Sequence, residues 1–419
     1  MTWELEDLRG SPNELARHYS AFRVSERLLL TGHSHQAWPD VGFAAQQQAW
    51  QDAAQYVDEK WEHAFERADR VRRGYATLLG DRDGDITLAP NTHELVVRFL
   101  SALPLRERPK LVTTDAEFHT IRRQLDRLAE ERVVEVVKVP GYPAWGAVDR
   151  LCAEVDDRTA AVLVSAVFHE RGVIVPWLGR LAEKCQLHGA ELLVDAYHAL
   201  GAIPFELKVQ GLEGAFVVGG GYKYLQLGEG NCFLRAPAGG TLRPVFTGWF
   251  SEFAELAESE TPGEVRYGEG PARFAGSTFD PTSHYRGAAV MDFFDTQGLD
   301  PEFLRAVSEH QVGHLARGFR ALDLDPNVVH LDETVRMEDR GGFLALTAPR
   351  AGWLCAGLRE RGVHTDVRGS TLRFGPAPYL RDGQLAIAID ALRDVVLPGI
   401  RRSSGATTPG GSPARGGHP

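Results

Sequence analysis

Short apolar runs alternate with amphipathic segments along the first part of the chain. Six runs have the length and composition of buried strands: 110–115, 133–140, 160–168, 191–197, 215–220 and 231–237. Segments with helical periodicity lie between several of them, at 121–131, 148–155 and 178–189. Strands that are apolar on both faces and alternate with helices are typical of a mostly parallel sheet covered on both sides. The pattern therefore predicts an α/β fold, in which ligands bind beyond the carboxyl ends of the strands.

The pattern changes after residue 284. Helical periodicity is found at 285–297, 301–322, 352–362 and 382–396, and short strands are predicted at 340–349 and 371–377. We therefore expect a large domain over 51–284 and a smaller α+β domain over 285–401. Residues 1–50 are expected to pack on the small domain and the active site. Residues 402–419 are small, polar and rich in Gly and Pro, which predicts a disordered tail.

The charge of the chain narrows its possible partners. Lys and Arg number 46 against 57 Asp and Glu, a formal net charge of −11, and no dense basic run occurs. Neither nucleic acid nor an anionic membrane surface is therefore an expected partner. No apolar run is long enough to span a membrane and the first residues are acidic and polar, which predicts a cytoplasmic protein. The four cysteines lack the spacing of a zinc site or a redox pair, so we expect free thiols and no metal.

An acid and a lysine stand at the ends of two predicted strands. Asp195 closes the apolar run in ELLVDAYHALGAIPF, and Lys223 follows three glycines in AFVVGGGYKYLQLGEGN. A lysine attacks a carbonyl only when its amine is unprotonated, whereas a pyridine ring used as an electron sink needs a carboxylate that keeps its nitrogen protonated. Gly219 to Gly221 permit positive φ and the close approach of a flat ring. The pair predicts a pyridoxal phosphate (PLP) site; the simpler interpretation is a helix cap, a solvated lysine and a glycine turn.

Three further segments carry candidate residues. Asn91, Thr92 and His93 precede an apolar helix whose amino terminus could bind a phosphate, or which Asn91 or Thr92 simply caps. Phe118 follows a predicted strand, where it could lie on a cofactor ring or fill the core. Arg373 follows a short strand and could clamp a substrate carboxylate with two parallel hydrogen bonds, although most arginines are solvated or form surface ion pairs.

Taken together, these segments resemble fold-type I PLP enzymes of the aminotransferase class V group, and most of all kynureninases. The resemblance covers most of the chain and is most specific in DAYHALGAIPFEL and GGGYKYLQLGEGN. It implies that Lys223 forms the Schiff base and that Asp195 pairs with the pyridinium nitrogen. It also implies that His198 lies beside the ring and orients the cofactor, and that Tyr222 binds the phosphate and takes part in proton transfer.

The resemblance extends to other segments. It assigns cofactor contacts to Thr92, His93, Phe118, Trp249, Ser277 and Thr278. The last three belong to segments that complete the neighbour's site across a dimer, so a homodimer is expected. LLLTGHSHQAWP resembles an N-terminal loop of the family, which brings His33 and Ser34 near the substrate. TLRFGPAP resembles the segment whose arginine, here Arg373, holds the α-carboxylate.

The activity that the resemblance implies is hydrolysis of L-kynurenine to anthranilate and L-alanine, or of 3-hydroxykynurenine to 3-hydroxyanthranilate, as in tryptophan catabolism and NAD biosynthesis. Several segments that face the substrate depart from the kynureninase pattern. Ile121 stands in place of an acid, and GHSHQ and VFHERG are altered. An aminotransferase, epimerase or lyase for another amino acid therefore remains an alternative. A cysteine desulfurase is less favoured because it needs a thiol near Arg373, and a non-enzymatic relic is disfavoured because Lys223 and Asp195 are both present.

Overall fold

The computed structural model describes residues 3–81, 84–255 and 263–403. The strands are β1 Leu28–Leu29, β2 Asp85–Ala89, β3 Lys110–Thr114, β4 Glu135–Val139, β5 Thr159–Ser165, β6 Val167–Phe168, β7 Val173–Ile174, β8 Glu191–Asp195, β9 Phe216–Gly220, β10 Cys232–Ala236, β11 His330–Leu331, β12 Leu344–Thr347, β13 Val363–His364, β14 Asp366–Arg368 and β15 Thr371–Phe374. The α-helices are α1 Leu5–Arg9, α2 Val41–Tyr56, α3 Lys60–Leu78, α4 Thr92–Ala102, α5 His119–Glu130, α6 Ala147–Glu154, α7 Leu178–Leu187, α8 Leu207–Gln210, α9 Thr282–Gln297, α10 Pro301–Ala321, α11 Ala351–Glu360 and α12 Asp382–Ser403. Short 3-10 helices lie at Glu14–Phe22, Ala144–Gly146, Trp249–Glu255, Gly270–Ala272 and Met337–Asp339.

A seven-stranded sheet forms the centre of the fold, in the order β2-β10-β9-β8-β5-β3-β4. Its neighbours pair in parallel except β10, which is antiparallel to both β9 and β2. The α/β fold with a mostly parallel sheet is thus confirmed, and all six predicted strands are present. The edge strand β2 was not predicted as a strand, since it is only five residues long, is partly exposed at two of them and ends just before Pro90.

Both faces of this sheet are covered by helices. Alternate residues of β8 belong to different apolar clusters: Leu192 and Val194 pack with residues of α3, α6 and α7, and Leu193 packs with residues of α4 and α5. Every residue of β5 and β9 is buried. Because side chains alternate along a strand, a strand that contacts apolar helices on both sides reads as a continuous apolar run. The same burial leaves the strand ends as the place for polar chemistry.

The C-terminal part of the chain builds a second, antiparallel sheet in the order β11-β12-β15-β14, against which α10 and α11 pack. The N-terminal segment joins it, because β1 pairs in parallel with β13 and Thr31 forms a bridge to Gly375. Helix α9 spans the expected boundary at residue 284 and packs on α2 and α3. We keep the division into large and small domains as a proposal.

Two further expectations concern the ends of the chain and the membrane. Helix α12 continues to Ser403, two residues into the predicted tail, and residues 404–419 lie outside the described part. Within the described ranges, no helix combines the length and apolarity needed to cross a bilayer.

Candidate active site

A cavity of about 230 Å³ lies at the carboxyl ends of β5, β8 and β9. Six of the predicted site residues line it: Thr92, Phe118, Asp195, His198, Tyr222 and Lys223. Parallel strands end at the same edge of a sheet, so Asp195, the last residue of β8, and Lys223, three residues beyond β9, meet there. The remaining predicted residues, namely His33, Ser34, His93, Trp249, Ser277, Thr278 and Arg373, lie elsewhere.

Lys223 is enclosed by aromatic side chains at the floor of this cavity. The side chain is buried, and Nζ lies 4.5 Å from the ring centre of Tyr197 and 5.2 Å from that of Phe118. Burial lowers the pKa of Lys223 to about 7; the charge of Asp195 opposes this shift and that of Arg373 adds to it. A large fraction of the amine is therefore neutral near pH 7, the state in which it can act as a nucleophile or a base.

His198 holds the lysine amine from one side. Lys223 Nζ and His198 Nε2 are 2.7 Å apart, a hydrogen-bond distance. Burial, and next the neighbouring charge of Lys223, lower the pKa of His198 well below its usual value, so the imidazole is neutral and its Nε2 can accept a hydrogen bond from the lysine amine. Nδ1 of His198 is buried and has no hydrogen-bond partner among the described residues. The ring thus keeps one nitrogen available to a group in the cavity.

Asp195 presents a partly unsatisfied carboxylate to the same cavity. Its Oδ1 accepts a hydrogen bond from the backbone N–H of Tyr197 at 2.8 Å, and no bond to Oδ2 is found in the described structure. Burial raises the pKa of Asp195, while the Tyr197 N–H and the charge of Lys223 hold it down. A buried carboxylate with one unused oxygen is suited to pair with a protonated ring nitrogen.

The glycines before Lys223 are required by close packing. Gly219, Gly220 and Gly221 are not among the residues with positive φ, so the conformational role predicted from sequence is wrong for them. A Cβ at position 220 would lie 2.4 Å from Tyr197 Oη and 2.7 Å from Cys232 Sγ. Glycine therefore lets the aromatic wall of the cavity approach the end of β9.

The predicted phosphate end is the start of helix α4. Asn91 caps this 11-residue helix by accepting a hydrogen bond from the Glu94 N–H at 3.0 Å, so the capping interpretation is correct. Asn91 and Thr92 also line the cavity, which leaves the helix start open to an anion. His93 is exposed and is not part of the cavity wall.

The aromatic wall differs partly from expectation. Phe118 lines the cavity, and its ring lies edge to face with that of His169 at 5.2 Å between centroids. Ile121, which we singled out as facing the substrate, is 1% exposed and packs in the core, while Thr120 lines the cavity. His169 is also part of the wall, and burial, with the charge of Arg373, lowers its pKa to about 3. The wall of the cavity near Phe118 is therefore polar but uncharged.

Trp249, Ser277 and Thr278 lie together at a second, larger cleft. This cleft measures about 1280 Å³ and shares Glu229 and Gly230 with the smaller cavity. Ser277 and Thr278 line it, and Trp249 Nε1 donates a hydrogen bond to Thr278 Oγ1 at 3.3 Å. None of these three residues lines the smaller cavity.

Arg373 is already bound by another carboxylate. Nε donates to Asp366 Oδ1 at 2.8 Å, Nη2 donates to Asp366 Oδ2, and Nη1 donates to the backbone carbonyl of His169 at 2.6 Å. His33, fully buried, bonds to Asp366 Oδ1 through Nε2 at 2.7 Å, and the Ser34 hydroxyl bonds to the Thr31 carbonyl. The predicted clamp, Arg373, is therefore already bound by Asp366, and His33 contacts the same carboxylate.

Several cavity residues were not foreseen. Ser165, Tyr197, Cys232 and Glu229 complete much of the wall. The position of Ser165 could have been found from the sheet, because it ends β5 and pairs in register with Asp195. Cys232 opens the antiparallel strand β10, whose pairing the sequence pattern does not indicate.

A group with possible metal-ligand geometry lies away from the cavity, on other helices. His310 and His314 stand one turn apart on α10, and their ring nitrogens lie within 4.8 Å of an oxygen of Asp382. Asp382 also pairs with the guanidinium of Arg9 at 3.1 Å. Asp382, at the start of α12, thus already has a hydrogen-bond partner in His310 and an ion-pair partner in Arg9.

The cavity provides the groups that PLP needs. A buried amine of lowered pKa, a carboxylate with an unused oxygen and an aromatic face surround one space, and a capped helix start borders it. The buried Nδ1 atoms of His198 and His169 have no partners in the described part of the chain, as expected where a polar group binds. Lys223, Asp195, His198, Phe118 and Thr92 could thus hold the cofactor.

Comparisons with known proteins agree with this fit. The family profile of aminotransferase class-V matches residues 51–302. The chain is 23% identical over 350 residues to the uncharacterized aminotransferase YcbU of Bacillus subtilis (strain 168), covering 82% of this chain and 88% of the relative. It is 27% identical over 399 residues to kynureninase of Pseudomonas fluorescens, covering 87% of this chain and 88% of that enzyme.

Solved structures share the fold at lower identity. An apo cysteine desulfurase from Thermococcus onnurineus NA1 superimposes with a TM-score of 0.75 at 15% identity, covering 92% of this chain and 98% of that one. The cystine C-S lyase C-DES, in complex with its reaction product cysteine persulfide, gives 0.75 at 16% identity, with 90% and 99% covered. These likenesses show the fold alone. The match over residues 51–302, more than half of the chain, identifies the chain as a member of the aminotransferase class-V family, with pyridoxal 5′-phosphate as its cofactor.

Proposed function

We propose that this protein is a PLP-dependent hydrolase of the kynureninase type, which cleaves L-kynurenine or 3-hydroxykynurenine to the corresponding anthranilate and L-alanine. The observation that carries the proposal is the pairing of two proton-transfer groups at one cavity, the Lys223 amine and the Tyr222 phenol. Hydrolysis of a Cβ–Cγ bond to alanine needs proton transfer both at Cα and at Cβ, in addition to attack of water on the γ-carbonyl carbon. The length over which the chain matches a kynureninase, 87% of it, supports the choice.

The residues of the cavity have distinct tasks in this reaction. Bound PLP supplies an electron sink for the bonds at Cα. Neutral Lys223 removes the Cα proton and returns it, and His198 keeps its Nζ in place through the 2.7 Å contact. Asp195 keeps the ring nitrogen protonated, since its second oxygen is available.

Tyr222 serves as the second proton-transfer group, beside Lys223. Burial raises its pKa to about 12, so the phenol keeps its proton at neutral pH and can donate it to Cβ as the bond between Cβ and the γ-carbonyl carbon breaks. Water attacks that carbonyl carbon. His35 stacks on the Tyr222 ring at 5.3 Å and restricts its orientation.

The cysteines disfavour desulfurase chemistry, despite the shared fold. Persulfide formation needs a reactive thiolate near the substrate. Of the four cysteines only Cys232 lines the cavity, and burial raises its pKa to about 12. Cys355 is buried on α11, where Sγ contacts the Thr365 carbonyl.

A second candidate is an aminotransferase acting on a polar amino acid. The polar wall formed by His169 and Thr120 favours it, because an aromatic substrate gains most from an apolar wall. The B. subtilis relative named as an aminotransferase supports the same reading. The two candidates differ in the fate of the amino group, which stays on alanine in hydrolysis.

We further propose a homodimer. Phe246, Trp249 and Phe253 are 62%, 43% and 44% exposed beside the larger cleft, an unusual arrangement for aromatic residues of a monomer. A second subunit on this face would bring its own groups to the shared residues Glu229 and Gly230. Light scattering that gives twice the chain mass supports this; a monomer with full activity contradicts it.

The hydrolase proposal is tested with purified protein loaded with PLP. L-kynurenine and 3-hydroxykynurenine are supplied separately, and the fluorescence of the anthranilate product is followed together with alanine release. We expect both products from the wild type and none from Lys223→Ala. Amino transfer to a 2-oxo acid without anthranilate would select the second candidate and contradict the first.

A further inference from the structure

Arg373, the predicted clamp for a substrate carboxylate, forms an ion pair with Asp366. The two residues are cross-strand partners, Asp366 on β14 and Arg373 on β15. Both oxygens of Asp366 bind the guanidinium, in the arrangement that a substrate carboxylate would use. The third interaction of Arg373 goes to the carbonyl of His169, which lines the cavity. The guanidinium therefore lies directly behind the cavity wall.

The pair is asymmetric in its exposure. The side chain of Arg373 is 2% exposed, whereas that of Asp366 is 19% exposed. The carboxylate is thus the more exposed partner of the pair, and the arginine is the more buried one. The charge of Arg373 also reaches the site, since it lowers the pKa of Lys223 and of His169.

A displaced Asp366 has two other partners close by. His33 Nε2 already bonds to Oδ1 at 2.7 Å, and Arg368 Nη1 lies 3.9 Å from Oδ2. Arg368 is half-exposed, and its Nη1 hydrogen bond is to the carbonyl of Val367. Exchange of one carboxylate for another at Arg373 breaks no covalent bond and transfers no proton, and the displaced Asp366 keeps its negative charge beside His33 and Arg368.

We propose that Asp366 is a specificity-determining residue that holds the Arg373 fork in place of the substrate carboxylate, and that an amino acid binds by exchange with it. The inference rests on the proposed action on an amino-acid substrate. Its consequence is that a ligand without a carboxylate gains nothing from the exchange, whereas an α-amino acid binds at the cost of breaking an ion pair. Asp366 then sets how strongly the site prefers amino acids over amines.

The experiment compares L-alanine with ethylamine, which lacks the carboxylate, by calorimetric titration of the holoenzyme. Asp366→Asn keeps the shape and the bond to His33 but removes the charge, so we expect it to lower the Kd of L-alanine about tenfold while that of ethylamine changes less than about twofold. Asp366→Glu, which restores the charge, should return the Kd of L-alanine toward the wild-type value. Asp292→Asn, which removes an exposed partner of Arg70, is the matched control and should change neither constant.

A second variant guards against loss of structure. Arg373→Lys keeps the charge but not the fork, and it should raise the Kd of L-alanine about tenfold and leave that of ethylamine unchanged. Thermal unfolding shows whether each variant is folded. The exchange is contradicted if Asp366→Asn leaves the Kd of L-alanine unchanged or raises it. It is also contradicted if neither variant binds L-alanine detectably. Kynurenine hydrolysis, measured separately on the wild type, decides the proposed function independently of these results.

Discussion

The buried amine of Lys223 should lower the free energy of unfolding of the apoprotein. Burial lowers its pKa from the ordinary value of 10.5 to about 7. A lysine that is more acidic in the folded than in the unfolded chain opposes folding, because folding has to release its proton. Replacement by Met, which has similar length and no charge, removes this opposition. We therefore expect Lys223→Met to raise the free energy of unfolding of the apoprotein.

The size of the gain follows from the two pKa values and depends on pH. Below pH 7 the lysine is charged in the unfolded chain and the whole pKa difference counts, so its burial costs about 5 kcal/mol of folding free energy. At pH 9 the folded lysine is already neutral and the pH is closer to the pKa of the unfolded lysine, so about 2 kcal/mol of this cost remains. Loss of the bond to His198 removes about 1 kcal/mol at either pH. The stabilisation should therefore be about 4 kcal/mol at pH 6 and about 1 kcal/mol at pH 9.

Urea unfolding of the apoprotein at pH 6 and pH 9 measures this. The matched control is Lys208→Met, a change of an exposed lysine on α8, which should stay within about 0.5 kcal/mol of the wild type at both pH values. A Lys223→Met protein that is less stable than the wild type at pH 6, or whose stabilisation does not depend on pH, would refute the reasoning about the buried amine.

Two other changes test the walls of the cavity. Gly220→Ala places a Cβ 2.4 Å from Tyr197 Oη, so it should cost about 1 to 3 kcal/mol of stability and weaken PLP binding. Gly214→Ala, whose Cβ would have nothing within 4 Å, is the control and should be neutral. Urea unfolding measures the stability and fluorescence titration measures PLP binding; equal effects of the two substitutions would contradict the packing argument. Asp195→Asn should lower kcat about 10²-fold or more. It should also lower the pKa of the Lys223 amine in the apoprotein further, because the carboxylate raises it. The pH dependence of the rate at which the apoprotein forms its Schiff base with PLP follows this second effect, and an unchanged pKa would contradict it.

The central sheet could be predicted because each buried strand can be recognised from its own residues. Each apolar run that packs between two helix layers is continuous, as β5 and β9 are, and the runs can be read without knowing their neighbours. The rule that parallel strands end at one edge then places Asp195 and Lys223 together. The short edge strand β2 lacks such a run and was missed.

The partners of Arg373 could not be predicted in the same way. Its ion pair depends on the register of β14 with β15, and the third member, His33, is 333 positions from Asp366 in sequence. Nothing in the pattern around TLRF distinguishes an open guanidinium from a bound one. Ile121 illustrates another limit: the rotation of α5 after Phe118 decides which side chain turns to the core, and Thr120 rather than Ile121 lines the cavity.

The attachment of PLP to Lys223 is the claim on which the account most depends. Reduction of the holoenzyme with borohydride fixes a lysine-bound cofactor, and peptide mass mapping then locates it. We predict that the added mass of the cofactor is found on the peptide containing Lys223 and is lost in Lys223→Ala. Cofactor fixed to another lysine, or none fixed in a protein saturated with PLP, would contradict the account.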